Sequence, residues 1–351
     1  MAGLKSGTPS VSVIVLNYNG TRWLERCLES LHAQSIFADT EILLADNASP
    51  DNSAELGSRL MQNWPNGRVI RHAQNFGFCA GNDKAAEQAC GDYLLFLNND
   101  TWLEPDCLEK LLTATHTAAA DAATPLVLNY EDDSFQSLGA AGFDLFGLAT
   151  SRSQHPDMRP VFMPEGCAFL IKRETFQRLG GFDPEFFMFA DETDLSWRLW
   201  LSGYRAVAVP IARLHHRGAA NVNPAGGGTV AEFRTSDTKR FYANRNGMLV
   251  LLKNAQHMLL LCLGLQLVLL LAEAVAALFL VRRWGFLRRA YLGAVSDCWR
   301  LRGHIAAERR RIRELRRHSD LWMLRFLRLR PNRWDELRRM RQSGIPRVSP
   351  G

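Results

Sequence analysis

Val11-Ser12-Val13-Ile14-Val15-Leu16, followed by Asn17-Tyr18-Asn19-Gly20, decides the fold of the N-terminal half. Uncharged and rich in β-branched side chains, the first six residues read as a buried strand, ended by a polar cluster that closes on glycine. Thr21 can cap a helix running to about Gln34. The pattern then returns three times. Glu41 to Ala45 predicts a second strand, ending in Asp46-Asn47-Ala48-Ser49-Pro50-Asp51, with a helix from about Ser53 to Met61. Arg68 to Arg71 is a short third strand, followed by a Gly-punctuated turn and a helix near Asn82 to Ala89. Tyr93 to Leu97 is the fourth, ending in Asn98-Asn99-Asp100. Four consecutive strand–helix units predict an α/β fold built on a mostly parallel sheet flanked by helices. Ligands of such sheets gather at the carboxyl ends of the strands, where three of these polar clusters fall.

Outside this half the pattern is less regular. Pro125 to about Asn246 carries the run Pro164 to Leu170, the turn Gly180-Gly181-Phe182-Asp183-Pro184 and a helix beginning near Asp191. The 351 residues suffice for one large domain and an appendage. A 47% hydrophobic content excludes disorder as the dominant state. The net charge of +6 conceals a split: Arg282 to Gly351 holds 20 Arg, no Lys and 6 acids, a balance of +14, and residues 1–281 carry −8. Seven scattered cysteines without a CxxC pair argue against a disulfide framework or a zinc site and suit a reducing compartment. Residues 1–8, read as a flexible N-terminus, lack the apolar run of a signal peptide, which puts the body in the cytosol.

Neither GxxxxGK[ST] nor GxGxxG occurs, so the P-loop and dinucleotide readings lose their usual support. What the predicted sheet edge offers is acid and amide. Asp46 and Asp100 both follow strands, and carboxylates there suit a hard divalent cation that keeps places for phosphate oxygens. Asx turns after strands explain any one such residue equally well. Several in order are harder to dismiss. Val13-Ile14-Val15-Leu16-Asn17-Tyr18-Asn19-Gly20, Asp46-Asn47-Ala48-Ser49, Asn75-Phe76-Gly77-Phe78-Cys79-Ala80-Gly81-Asn82 and Leu97-Asn98-Asn99-Asp100 together resemble a family-2 glycosyltransferase of the GT-A fold. The likeness continues through Gly180-Gly181-Phe182-Asp183, Phe186-Phe187, Asp191-Glu192-Thr193-Asp194-Leu195-Ser196-Trp197-Arg198, His215-His216 and Arg245-Asn246. It covers about residues 9–250 and is nearest the non-processive, rhamnosyltransferase-like branch, since the Gln-x-x-Arg-Trp signature of processive synthases is absent.

The resemblance implies roles. Asp46 would accept the N3–H of a donor uracil or thymine, a fit for an acceptor-only carboxylate, with Asn17 and Asn19 beside the nucleoside. Asn75, Gly77 and Asn82 would close over the nucleotide, although Asp83 stands where the family often has a second Asn. Asn98 and Asn99 would contact sugar or ribose. Asp100, with His216, would hold Mg2+ or Mn2+ against the diphosphate charge. Alignment on Asp194 and Arg198, which would orient their neighbours, puts Glu192 at the place of the catalytic base, with Asp191 the alternative because the family usually reads Glu-Asp. An acidic helix N-terminus complementing the macrodipole explains the same three acids. The implied activity is inverting transfer of a sugar such as rhamnose from a dTDP- or UDP-linked donor to a lipid-linked or cell-envelope glycan. The rivals are a sugar nucleotidyltransferase and an inactive, membrane-tethered sugar-nucleotide scaffold.

Met258 to Val281 has 24 residues and one charge, Glu273, enough apolar length to span hydrocarbon. Gln266 and Glu273 lie seven apart on one helix face, acceptable against a partner helix or at an interface. A span would carry the Arg-rich tail away from the cytosolic body, against the positive-inside tendency, so a re-entrant or interfacial helix at the cytoplasmic face of the plasma membrane is expected. A core helix remains the alternative. The expected division is thus a catalytic domain over 9–250, an apolar membrane-associated helix over 251–285 and an Arg-rich amphipathic helical tail over 286–351 that binds the membrane surface and not nucleic acid.

Overall fold

The computed structural model describes residues 11–152, 155–218, 234–332, 334 and 347–349; the expected flexible segment 1–8 lies outside them. In chain order the elements are β1 (Val11–Asn17), α1 (Leu24–His32), β2 (Thr40–Asp46), α2 (Ser53–Leu60), β3 (Gly67–Arg71), α3 (Gly77–Ala86), β4 (Tyr93–Asn98), β5 (Thr101–Leu103) and α4 (Cys107–Thr117). There follow β6 (Ala122–Asn129), β7 (Phe135–Ser137), β8 (Ala140–Phe143), β9 (Ala149–Arg152), β10 (Arg159–Pro160), β11 (Ala168–Lys172), α5 (Arg173–Leu179), α6 (Asp191–Leu201) and β12 (Ala206–His216). The chain ends in β13 (Arg234–Ser236), α7 (Asp237–Asn254), α8 (Leu260–Leu280), α9 (Trp284–Leu287), α10 (Ala294–Arg300), α11 (Arg302–Leu315), α12 (Asp320–Met323) and β14 (Arg347–Ser349). Among the described residues these elements form two compact units, each assembled from separate stretches of chain: one within residues 11–140, 152–187 and 204–218, the other within residues 141–151, 188–203, 234–332, 334 and 347–349. The boundary expected at 250 falls inside α7.

The first unit is a ten-stranded sheet with a main path β10-β12-β6-β11-β4-β1-β2-β3, with β5 on β12 and β7 on β6. Strands β1 to β4 pair in parallel, as their helical crossovers require. The sheet is nonetheless mixed, because β11 runs antiparallel between β4 and β6. No helix lies between β10 and β11, so the chain is free of the crossover that would force β11 parallel. Side chains alternate between two cores. Val13, Ile42 and Leu95 face α1 and α4 through Leu28 and Leu108, while Phe96 on the other face packs on Phe176 and Phe182, each at 4.9 Å between ring centroids.

Two helix starts differ from expectation. Thr21 does not cap α1; Trp23 holds the N-cap position without a side-chain bond. The Thr21 hydroxyl instead donates to Asp51 Oδ2 at 2.6 Å, tying the loop after β1 to the loop after β2. Helix α3 begins at Gly77, five residues before Asn82, because the Asn75 Oδ1 accepts the Gly77 N–H at 2.8 Å and starts the turn early.

The second unit is helical. The apolar run forms α8, whose buried residues Cys262, Gln266, Leu270 and Ala277 share one face. On that face the Gln266 amide lies against Gly247 of α7, where an added Cβ would fall 2.6 Å from Gln266 Nε2. Among the described residues the tail includes the helices α10 to α12, and part of its positive charge is used inside the unit. Arg309 Nη1 donates to the Leu252 and Ala255 carbonyls at the end of α7, and Arg316 Nη1 pairs with buried Asp320 at 3.1 Å. Cations on the last carbonyls of a helix satisfy groups that have no partner in the helix itself.

Candidate active site

In the first unit the predicted nucleotide residues assemble at one edge of the sheet. Strand register sets Asn17 opposite Asp46 and Leu16 opposite Asn98, so the three polar strand ends lie side by side. Asn17 is fully buried and links the loops: its Nδ2 donates to Asp46 Oδ1 and Ser53 Oγ, both at 2.8 Å, and its Oδ1 accepts Asn99 Nδ2 at 2.7 Å. Gly20 is required there, since a Cβ would fall 1.9 Å from Asn17 Oδ1. The Asp46 carboxylate also accepts the Ser49 N–H at 3.0 Å and its hydroxyl at 2.6 Å. Three of its roughly four lone-pair positions are thereby occupied, which leaves room for one further donor. Asn19 adopts φ 56° and its N–H donates to Ser49 Oγ.

Asn75 and Gly77 join this edge through a residue to which sequence reasoning gave no role. Asn47 donates to Asn75 Oδ1 at 2.9 Å and to the Gly77 carbonyl at 3.0 Å, and its Oδ1 accepts the Phe76 N–H at 3.0 Å. Gly77 has φ 76°, and a Cβ there would meet Phe187 at 2.5 Å. Asn82 is placed differently. It is buried inside α3, with Nδ2 on the Phe78 carbonyl at 3.0 Å and Oδ1 without a partner among the described residues. Asp83, in the position of the missing second Asn, accepts the Phe182 N–H at 3.0 Å.

Asp100 and His216 are brought together by the pairing of β5 with β12, which sets His216 opposite Thr101. His216 Nε2 lies 3.4 Å from Asp100 Oδ1 and 3.5 Å from Asn98 Nδ2. Its Nδ1 meets Gln136 Oε1 at 2.9 Å, and Nδ1–H donating there turns Nε2 toward Asp100, where it could ligate once its own proton is lost. Gln136 is 80 residues away in sequence and was not predicted. Burial opposes the charge on both groups. The attraction of His216, its hydrogen bond and nearby Arg217 nevertheless hold the Asp100 pKa below its ordinary value. Burial likewise works against imidazolium, yet Cys167 and Asp100 raise the His216 pKa well above its usual value. Two cis ligands of an octahedral ion with bonds near 2.1 Å lie about 3 Å apart, so this carboxylate–imidazole pair suits one divalent cation. Among the described residues no larger group of His, Cys, Asp and Glu is gathered for a metal.

The remaining predicted residues belong to the second unit and begin α6. Asp191 is buried; that burial, and then the neighbouring Glu192, raise its pKa well above the carboxylate range. Asp194 and Arg198 are buried in one ionic cluster. Asp194 Oδ2 accepts Arg198 Nε at 2.9 Å, Arg198 Nη2 at 2.7 Å and Lys253 Nζ at 3.0 Å, and Oδ1 accepts Asn254 Nδ2 at 2.7 Å. The Lys253 and Asn254 partners went unpredicted. Removing one partner of a buried pair strands its counter-charges. Asp194→Asn, which keeps the shape and deletes the charge, should therefore cost about 3–5 kcal/mol in a urea unfolding series. A loss below 1 kcal/mol would assign the cluster no structural weight.

Residues 12–180 match the family model described as "Glycosyl transferase family 2". The O-antigen biosynthesis protein RfbC of Myxococcus xanthus is 30% identical over 237 residues, covering 61% of this chain and 18% of that protein. Residues 12–180 form a family-2 glycosyltransferase domain. The N-acetylglucosaminyl-diphospho-decaprenol L-rhamnosyltransferase of Mycobacterium tuberculosis is 27% identical over 240 residues, 60% of this chain and 77% of that protein. The crystal structure of GalNAc-T7 with UDP, GalNAc and Mn2+ aligns at TM-score 0.53 and 20% identity, over 60% of this chain and 43% of that one. The glycosyltransferase domain has the GT-A fold, with a mixed central sheet flanked by helices. The chain thus spans less than half the length of RfbC and of GalNAc-T7.

Proposed function

We propose that the protein is an inverting glycosyltransferase that moves a sugar such as rhamnose from a dTDP- or UDP-linked donor to a lipid-linked or cell-envelope glycan acceptor. The observation that carries this reading is the juxtaposition of Asn17, Asp46 and Asn98 at one sheet edge, with the Asp100–His216 pair beyond it. In this reading Asp46 accepts the N3–H of the pyrimidine, while Asn17 and Asn19 border the nucleoside. The Asn75–Gly77 loop, held by Asn47, covers the nucleotide, and Asn98 and Asn99 contact sugar or ribose. Asp100 and His216 hold Mg2+ or Mn2+, which supplies positive charge against the diphosphate leaving group. Inverting displacement requires a carboxylate on the face of the sugar away from the diphosphate, and Glu192 takes the acceptor proton. The rhamnosyltransferase relative, whose name carries a decaprenol-linked diphosphate sugar, supports rhamnose as the sugar and a lipid-linked acceptor. A panel of pyrimidine-nucleotide sugars with Mn2+ or Mg2+ and a polyprenyl-diphosphate sugar as acceptor, read by release of nucleoside diphosphate as the sugar joins the acceptor, tests the proposal. Pyrophosphate release from a nucleoside triphosphate would favour the nucleotidyltransferase, and donor binding without turnover would favour the scaffold.

A specific observation on the second unit favours action at a membrane surface. Helix α8 is apolar on its outward face, and its buried face carries the polar residue Gln266. Leu261, Val268, Leu271, Val275 and Phe279 are exposed on one side, Leu261 by 71% and Phe279 by 69%, while Gln266 is buried on the other. A helix facing water has the opposite polarity. Exposed Arg282, Arg283, Arg288 and Arg289 follow at its C-terminal end, placed for anionic headgroups. The segment His257–Leu280 is long and apolar enough to cross a membrane by length and composition. Its packing on α7, which carries buried Arg245 and Lys253, favours a helix embedded along the cytoplasmic surface. The protein should co-float with phosphatidylglycerol vesicles, and Val268→Glu with Leu271→Glu should reduce that binding at least about tenfold. Equal flotation of wild type and double variant would remove α8 from the interface.

A further inference from the structure

Arg217 was assigned no role by the sequence, yet in the first unit it carries a signature that calls for a ligand. Its side chain is 6% exposed, and both Nε and Nη2 are buried with no hydrogen-bond partner among the described residues. The nearest paired carboxylate, Glu131 Oε1, stands 4.0 Å from Nε and belongs to a largely exposed side chain. The Trp23 ring centroid lies 5.8 Å from the guanidinium carbon. A guanidinium keeps its charge at every working pH, so burial cannot be relieved by losing a proton. A buried cation with idle N–H groups is a costly arrangement that a bound anion repays.

The location identifies the anion. Arg217 follows His216 directly, and its backbone N–H donates to the Asp100 carbonyl at 3.0 Å. Asp46 ends β2, and β1 separates it from β4, whose end leads into Asp100. Two strand spacings put the pyrimidine end of the edge roughly 10 Å from the β4 end, about the reach from a base to its diphosphate. We infer that Arg217 binds the diphosphate of the donor nucleotide as a bidentate fork, an inference that rests on the donor-site reading given above. The planar guanidinium matches two phosphate oxygens, and a lysine at the same place would offer a point charge without that match.

Calorimetric titration of the intact protein with dTDP, UDP and the corresponding monophosphates, in EDTA and again with Mn2+, tests this without reference to turnover. Arg217→Met should weaken diphosphate binding about 100-fold and monophosphate binding less than about threefold, with Arg217→Lys between them. Because the idle cation is costly in the empty site, ligand-free Arg217→Met should melt no lower than the wild type. Unchanged diphosphate affinity, equal losses for mono- and diphosphate, or a melting temperature lowered by more than about 5 °C in the ligand-free variant would each overturn the inference. Failure of the wild type to bind any pyrimidine nucleoside diphosphate would instead overturn the donor-site reading on which it rests.

Discussion

Asp100→Ala should lower sugar transfer by about three orders of magnitude, some 4 kcal/mol of transition-state stabilisation, and should lower Mn2+ affinity in the same preparation. The expectation follows from the composition of the site. Asp100 and His216 form the pair, and Asn98, the amide beside them, brings no charge of its own. Asp100 is therefore the anionic member of the pair. Its pKa is depressed despite burial, so it is ionised throughout the neutral range and ready to bind a cation without first losing a proton. Asp100→Asn should fall nearly as far as alanine, since an amide restores shape but not charge. Manganese titration followed by electron paramagnetic resonance checks the binding half of the prediction, and nucleoside diphosphate release checks the other. Retention of both metal binding and turnover in Asp100→Ala would remove this carboxylate from the reaction.

What was legible in the sequence was local. β1, β2 and β4 are compact apolar runs, and the polar residues that end them stay at the strand tips whatever the rest of the chain does. Asn17, Asp46 and Asn98 could therefore be placed on one edge from strand order alone. Helix α6 likewise starts at Asp191, where its acidic first turn predicted it. The antiparallel insertion of β11 left no trace in a period of two, because a buried strand reads the same in either direction. Gln136 beside His216, and Lys253 and Asn254 on Asp194, are contacts between residues 59 to 80 positions apart, with no spacing rule to announce them. Thr21 failed as a cap because Asp51, across the loop, competes for its hydroxyl and backbone N–H. The internal partners of the arginine-rich tail were not legible for a different reason. Composition cannot distinguish an arginine facing lipid from Arg309, which closes the carbonyl end of α7.

Glu192→Gln should reduce transfer by about 10²–10⁴-fold while leaving nucleoside diphosphate affinity within about threefold of wild type. The substitution keeps the size and hydrogen-bonding capacity of the side chain and removes only its ability to take a proton. Asp191→Asn separates the two candidates for the base. Burial, and then the adjacent Glu192, raise the Asp191 pKa well above its ordinary value. With Glu192 as the base, Asp191→Asn should lose no more than about tenfold. The same substitution has a consequence for stability whose sign can be worked out. The unfolded Asp191 ionises near pH 3.9, whereas the native one does so only at higher pH. Between those values the unfolded state holds fewer protons, so this group's contribution to stability falls as the pH rises. Asp191→Asn removes that penalty and should melt at or above the wild-type temperature at neutral pH, with the difference vanishing below about pH 4. A thousandfold loss in Asp191→Asn beside a near-normal Glu192→Gln would exchange the two roles.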